Sequence, residues 1–155
     1  KRFTYWPQLF LGITFNYGLI LGWTAINGQI DLVPILFYLG AIFWTLGYDT
    51  IYGYQDIKDD EIIGLKSTSI KFKGNAKQFL IICYSCLTIL FLLGGYFMKF
   101  DFTYFGLSIL PTMHLFFYQI KNFNLNDSSS CLKIFKSNNL FGLIVFTIII
   151  LTKIY

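Results

Sequence analysis

Charge is scarce in this chain. Only 13% of its 155 residues are Asp, Glu, Lys or Arg, against about a quarter in a soluble domain. Apolar residues make up 55% and aromatics 21%. This excludes an ordinary soluble globule and points to an all-α, polytopic membrane helix bundle. Histidine is nearly absent, with His114 alone. It has no ionisable neighbour in sequence, so it reads as a packed, hydrogen-bonded group rather than part of a relay. Cysteines number three. Cys83 and Cys86 are spaced C-x-x-C but sit inside an apolar run, which favours small packed residues over redox or zinc chemistry. No signal-peptide pattern is present, and the chain opens on Lys1 rather than Met. The expectation is that its start is missing. The net charge of +4 follows membrane topology, so no nucleic-acid partner is expected.

Long uncharged runs take up most of the remainder. Five of them read as membrane helices: residues 9–26, 32–48 with an apolar continuation to about Tyr52, 78–98, 102–120, and 140–152 with Ser137-Asn138-Asn139 in front. Pro7 suits a first helical turn. Asn27-Gly28 and Asp31 mark a turn, and Lys153 and Tyr155 are expected to anchor the last helix. With these spans, Lys1, Arg2, Lys58, Lys66, Lys71, Lys73, Lys77, Lys121, Lys133 and Lys136 fall on one side and only Lys99 and Lys153 on the other. The positive-inside rule then places the first group in the cytoplasm or an equivalent compartment.

The acid that exists is concentrated. Tyr48 to Glu61 holds five of the eight acidic residues: Asp49, Asp56, Asp59, Asp60 and Glu61. If the stretch is one helix, spacings of seven and four put Asp49, Asp56 and Asp60 on one stripe, with Tyr52 near the same line. Carboxylates crowded at the end of an apolar helix repel one another and resist burial. A hard cation that leaves room for water and phosphate oxygens, Mg²⁺, relieves both problems. A solvated loop face is the plain alternative, above all for Lys58, Asp59 and Glu61. Further on, Lys66 precedes Ser67 and Thr68, a group suited to phosphate or to helix capping.

These residues resemble a known family. Tyr48-Asp49-Thr50-Ile51-Tyr52, Asp56-Ile57-Lys58-Asp59-Asp60 and Ile63-Gly64-Leu65-Lys66-Ser67-Thr68 together resemble the second aspartate motif of the UbiA-type intramembrane prenyltransferases, nearest the 4-hydroxybenzoate branch. Lys1 to Gln8 resembles the segment after that family's third or fourth helix. Phe135-Lys136-Ser137-Asn138-Asn139 resembles its asparagine-rich lead-in to the last helix. The resemblance covers almost the whole chain. It implies a single membrane domain of about nine helices, of which residues 1–155 would be the C-terminal part, in a bacterial or mitochondrial inner membrane.

The resemblance also implies roles. Asp56 and Asp60 would hold Mg²⁺ and the diphosphate of a polyprenyl donor and carry the catalysis, with Asp49 as a supporting metal acid. Lys1 would contact the diphosphate, Arg2 the carboxylate of 4-hydroxybenzoate, and Lys66 a further phosphate oxygen. Tyr52, Tyr54 and Trp44 would shield an allylic cation. The family's first aspartate motif is absent, so the chain alone is expected to be inactive and unstable in lipid without its missing N-terminal half. Three other readings stay open: an inactive remnant, another branch with a different aromatic acceptor, and a cation transporter. The last is disfavoured because transporter ligands lie near the bilayer midplane.

Overall fold

A chain in lipid must satisfy its backbone internally, and long uncharged runs do so as helices. The protein is described here by a computed structural model covering residues 1–152; Lys153 and Tyr155, expected as anchors, lie outside the described residues. In order the elements are α1 (Pro7–Phe15), α2 (Tyr17–Asn27), α3 (Leu32–Gly53), α4 (Ile57–Ile63), α5 (Thr68–Lys71), a 3-10 turn (Lys73–Asn75), α6 (Ala76–Phe97), α7 (Phe102–Leu107), α8 (Ile109–Met113), a π-helical segment (His114–Ile120), α9 (Ser128–Lys136) and α10 (Asn138–Leu151).

Among the described residues, four stretches are long and apolar enough to cross a membrane: Pro7–Asn27, Leu32–Gly53, Lys73–Phe97 and Ser128–Leu151. The protein is therefore an all-α, multi-pass membrane bundle. The fifth expected span, residues 102–120, is helical but assembled from α7, α8 and the π-helical segment. Ser108, Thr112, His114 and Gln119 make it the most polar of the expected spans. Hydroxyls there return to their own backbone: Ser108 Oγ donates to Tyr104 O at 2.7 Å and Thr112 Oγ1 to Ser108 O at 2.9 Å.

The long helix α3 is the axis. Its glycines let α6 approach closely, as small residues do between membrane helices. A Cβ at Gly47 would meet the Tyr84 ring at 2.5 Å, and one at Gly40 the Phe91 ring at 2.7 Å. On the opposite flank the α1–α2 break is pinned to α3 by Asn16, whose Nδ2 donates to Gly12 O at 2.8 Å and Thr45 Oγ1 at 2.8 Å. Gly28, at φ +73°, closes α2. The core lies between α3, α6 and α9–α10 and includes Leu46, Ile51, Leu80, Tyr84, Leu115, Ile134 and Phe141. Leu21, Ile26, Ile82, Phe146 and Ile150 face outward, as lipid contact requires. Cys83 is buried and Cys86 partly so, both thiols free, in keeping with a packing role.

Candidate active site at the polar end of the central helix

The acidic stretch is not one helix. α3 stops at Gly53, Tyr54 to Asp56 turn, and α4 begins at Ile57 with Asp56 as its N-cap. The single stripe expected for Asp49, Asp56 and Asp60 is thus divided, Asp49 on α3 and the other two on α4. The turn is fixed by Tyr54, 2% exposed and packed on Phe123 with ring centroids 5.3 Å apart. A side chain buried there cannot also line a surface site, so Tyr54 leaves the set expected to shield a cation. Burial also pushes its phenol pKa well up.

Each acid has its own setting. Asp60 is buried, 6% exposed, and accepts a hydrogen bond from Lys1 Nζ at 3.0 Å. Asp49 is half-buried and lies within the electrostatic reach of Lys1. Asp56 is exposed, and its carboxylate caps no backbone N–H. Asp59 and Glu61 point to solvent, and Glu61 pairs with Lys73 at 2.8 Å. Gly64, at φ +75°, ends α4 in a left-handed cap that a Cβ would strain. Among the described residues, no three His, Cys, Asp or Glu side chains stand close enough to hold a metal ion.

The Lys66-Ser67-Thr68 segment folds inward. Lys66 N donates to Lys1 O at 2.6 Å, which brings two of the expected phosphate-contacting lysines together. The Lys66 ammonium lies 5.6 Å from the Tyr5 ring centroid. Ser67, Thr68 and Ser69 have no exposed surface. Ser67 Oγ caps α5 through Ile70 N at 3.2 Å. Thr68 Oγ1 shares a 2.6 Å hydrogen bond with Thr50 Oγ1, Ser69 Oγ donates to Thr50 O at 2.7 Å, and Thr68 N donates to Gln8 Oε1 at 3.1 Å. The hydroxyls tie α3 to α5, the Thr68 N–H ties α5 to α1, and none of the three hydroxyls has surface to offer a phosphate. Sequence reading takes Thr50 and Gln8 only as parts of motifs, and assigns neither them nor Ser69 this tying role. The signal was there: Gln8 is the one strongly polar side chain of an otherwise apolar first helix. Arg2 is exposed and makes no hydrogen bond among the described residues.

An aromatic wall descends from the acids into the apolar layer. Trp44, Tyr48 and Tyr52 recur every four residues on α3, roughly 12 Å from end to end. Phe135 tilts over Tyr48 and Tyr52 with centroids 5.7 and 4.7 Å away, and Phe141 over Trp44 at 5.0 Å. Tyr52 and Trp44, two of the three rings expected to shield a cation, both lie on this wall. His114 is partly buried and stacked on Tyr118 at 5.2 Å, with its Nε2 lacking a hydrogen-bond partner. It is packed as expected, without the expected hydrogen bond at that atom.

Residues 1–150 match the UbiA prenyltransferase family. The chain belongs to that family. It is 40% identical over 155 residues to the mitochondrial 4-hydroxybenzoate polyprenyltransferase of Arabidopsis thaliana, covering 99% of this chain and 38% of that protein. It is 42% identical over 156 residues to the protein of the same name from Bos taurus, covering 97% and 41%. The Dictyostelium discoideum protein of that name is 42% identical over 159 residues, covering 99% and 33%. The chain therefore spans well under half the length of the curated relatives it matches. No solved structure matches it.

Proposed function

We propose that the protein carrying this UbiA-family chain transfers a polyprenyl group from polyprenyl diphosphate to 4-hydroxybenzoate, in an Mg²⁺-dependent reaction. The observation that supports this most is the juxtaposition at the end of α3. Acidic side chains and Lys1 cluster at the polar rim, and the wall of Trp44, Tyr48, Tyr52 and Phe135 runs from there into the apolar layer. A donor with an anionic head and a long hydrocarbon tail has both matched halves of its surface there.

The donor set suits the ion. Mg²⁺ takes one or two protein carboxylates, keeps waters and shares phosphate oxygens with substrate, so it does not require the three-carboxylate cage that the described residues lack. Asp56, exposed and uncommitted, and Asp60 would hold it, with Asp49 seven residues before Asp56, on the last turns of α3. When bound, the ion would neutralise charge on the diphosphate as the C–O bond breaks. Lys1 and Lys66, joined through the Lys66 N–H to Lys1 carbonyl bond, would add cationic stabilisation to the departing diphosphate. Lys1 would have to loosen its hold on Asp60 to do so. Arg2, exposed beside them, would take the benzoate carboxylate. Tyr52 and Tyr48 would present their π faces to the allylic cation. The ring carbon ortho to the phenol then forms the new C–C bond, and its proton leaves to restore aromaticity. By the positive-inside rule, the acidic rim faces the cytoplasm or the mitochondrial matrix, with membrane lipid around the outward apolar faces.

The test is prenyl transfer to radiolabelled 4-hydroxybenzoate in membranes holding the complete gene product. The expected result is labelled prenylated product that needs Mg²⁺ and a polyprenyl diphosphate. It should be lost in Asp56→Ala at unchanged protein level, and in Asp60→Ala by far more than any loss of folded protein. Transfer to another aromatic acceptor, with none to 4-hydroxybenzoate, would move the protein to a different branch of the family. No transfer to any acceptor would leave a member that keeps the fold without the chemistry.

A further inference from the structure

The aromatic wall depends on a side chain that carries no charge. Asn138 opens α10 and is 8% exposed. Its Oδ1 accepts from Trp44 Nε1 at 2.9 Å and from Gln119 Nε2 at 3.1 Å. Its Nδ2 donates to Ile134 O at 3.3 Å and to Phe135 O at 2.9 Å. Both lone pairs and both N–H groups of the amide are therefore used. Gln119, with no exposed surface, lies on the π-helical segment and accepts from Tyr84 OH at 2.5 Å. The Tyr84 ring fits because α3 carries Gly47 opposite it. A polar chain thus runs Tyr84–Gln119–Asn138–Trp44 across α6, the π-helical segment, α10 and α3. π-Helical turns recur at functional sites, and a polar chain in an apolar layer is costly unless every member is satisfied.

We infer that Asn138 is a positioning residue for prenyl transfer, an inference that rests on the function proposed above. It holds the two sides of the wall at once: the Trp44 indole through its N–H, and the α9 end that carries Phe135 through the Phe135 carbonyl. Trp44 packs on Tyr48 at 5.1 Å and Phe141 at 5.0 Å, and Phe135 covers Tyr48 and Tyr52. Rotation of the indole would displace the ring next to Asp49. Asn138 therefore sets the surface on which the apolar part of an isoprenoid diphosphate lies, while it touches neither the diphosphate nor the aromatic acid. A purely structural asparagine would satisfy its own helix start; this one directs an acceptor lone pair at a ring of the wall.

The experiment uses the complete gene product with every tryptophan but Trp44 replaced by Phe, so that emission reports on that indole alone. Asn138→Leu is compared with Thr147→Val, an exposed α10 site whose hydroxyl only back-bonds to Leu143 O at 2.8 Å. The expected result for Asn138→Leu has three parts. Trp44 emission shifts. kcat falls between about tenfold and a hundredfold, while KM for 4-hydroxybenzoate stays within about twofold. Adding Trp44→Phe to Asn138→Leu costs no further activity. Thr147→Val should change none of these. Unchanged emission, unchanged kcat, or fully additive losses in the double variant would each overturn the inference. A parent protein that is folded but transfers no prenyl group would instead overturn the proposed function, and the role of Asn138 with it. An active parent with an indifferent Asn138→Leu variant would sink the role of Asn138 alone.

Discussion

Two polar segments are separated by only five residues in this chain, and they use their polar atoms in opposite ways. Asp56 to Glu61 turns most of its carboxylates toward solvent or toward a lysine, and Asp56 leaves its own without a cap to make. Ser67 to Ser69 turns every hydroxyl inward, and each one finds a partner. Hydrophilicity alone does not separate them. What separates them is satisfaction: a buried hydroxyl with its hydrogen bonds made serves the fold, whereas a carboxylate left uncommitted at the edge of an apolar layer, as Asp56 is, is available to a cation, and buried Asp60 becomes so only when Lys1 releases it. The contrast reassigns the hydroxyls after Lys66 from phosphate contact to structure, and it leaves the acids as the candidate chemistry.

The sharpest way to break this contrast is to neutralise the acids. Asp60→Ala and Asp56→Ala should each lower prenyl transfer by roughly a hundredfold or more, the order expected when charge stabilisation of a leaving group is removed. Protein level and melting should change little for Asp56, which is exposed and uncapping. Asp60→Ala should also cost some stability, because Lys1 loses its 3.0 Å partner. A variant of Asp56 that melts early yet keeps its turnover would assign that acid to the fold.

The hydroxyl knot should respond the other way. Thr50→Val keeps the shape but removes the partner of Thr68 Oγ1 and leaves it buried and unpaired. A loss of about 1–3 kcal/mol is expected. Transfer activity should then fall only in step with the folded fraction, checked by unfolding in detergent beside initial rates. Next in size is Gly47→Ala. Its methyl would meet the Tyr84 ring at 2.5 Å, and overpacking of that kind costs about 1–3 kcal/mol. Because Tyr84 feeds the Gln119–Asn138 chain, Gly47→Ala should also shift Trp44 emission, which Thr50→Val should not.

Much of the architecture was legible in the sequence because lipid leaves so few choices. Uncharged runs had to become helices, and the spans at α3 and α6 fall close to the expected bounds. The acidic end of α3 was legible too, since five carboxylates beside such runs have little structural reason to be there. The break of α3 at Tyr54 was not. Nothing in Gly53-Tyr54-Gln55 forbids another turn of helix, and the chain bends because the Tyr54 ring finds a pocket against Phe123, a residue brought there by the fold. The interruption at Asn16 was hidden for a similar reason, its amide reaching Thr45 on another helix. The partners of Gln8, Thr50 and Asn138 lie 60, 18 and 94 positions away. A local pattern can mark such residues as unusual but cannot pair them.

The smallest expected effect is the most discriminating control. Glu61 belongs to the acidic segment by sequence, yet its side chain and that of Lys73 form an ion pair with 37% and 47% of their surfaces exposed. Solvent screens such a pair, and exposed pairs contribute no more than about 1 kcal/mol. Glu61→Gln should therefore shift melting barely at all and leave prenyl transfer within about twofold of the parent. If Glu61→Gln instead abolished transfer as Asp56→Ala does, acidity of the whole segment rather than the placement of particular carboxylates would govern activity. The distinction between committed and uncommitted polar groups would then fail where it is simplest to test.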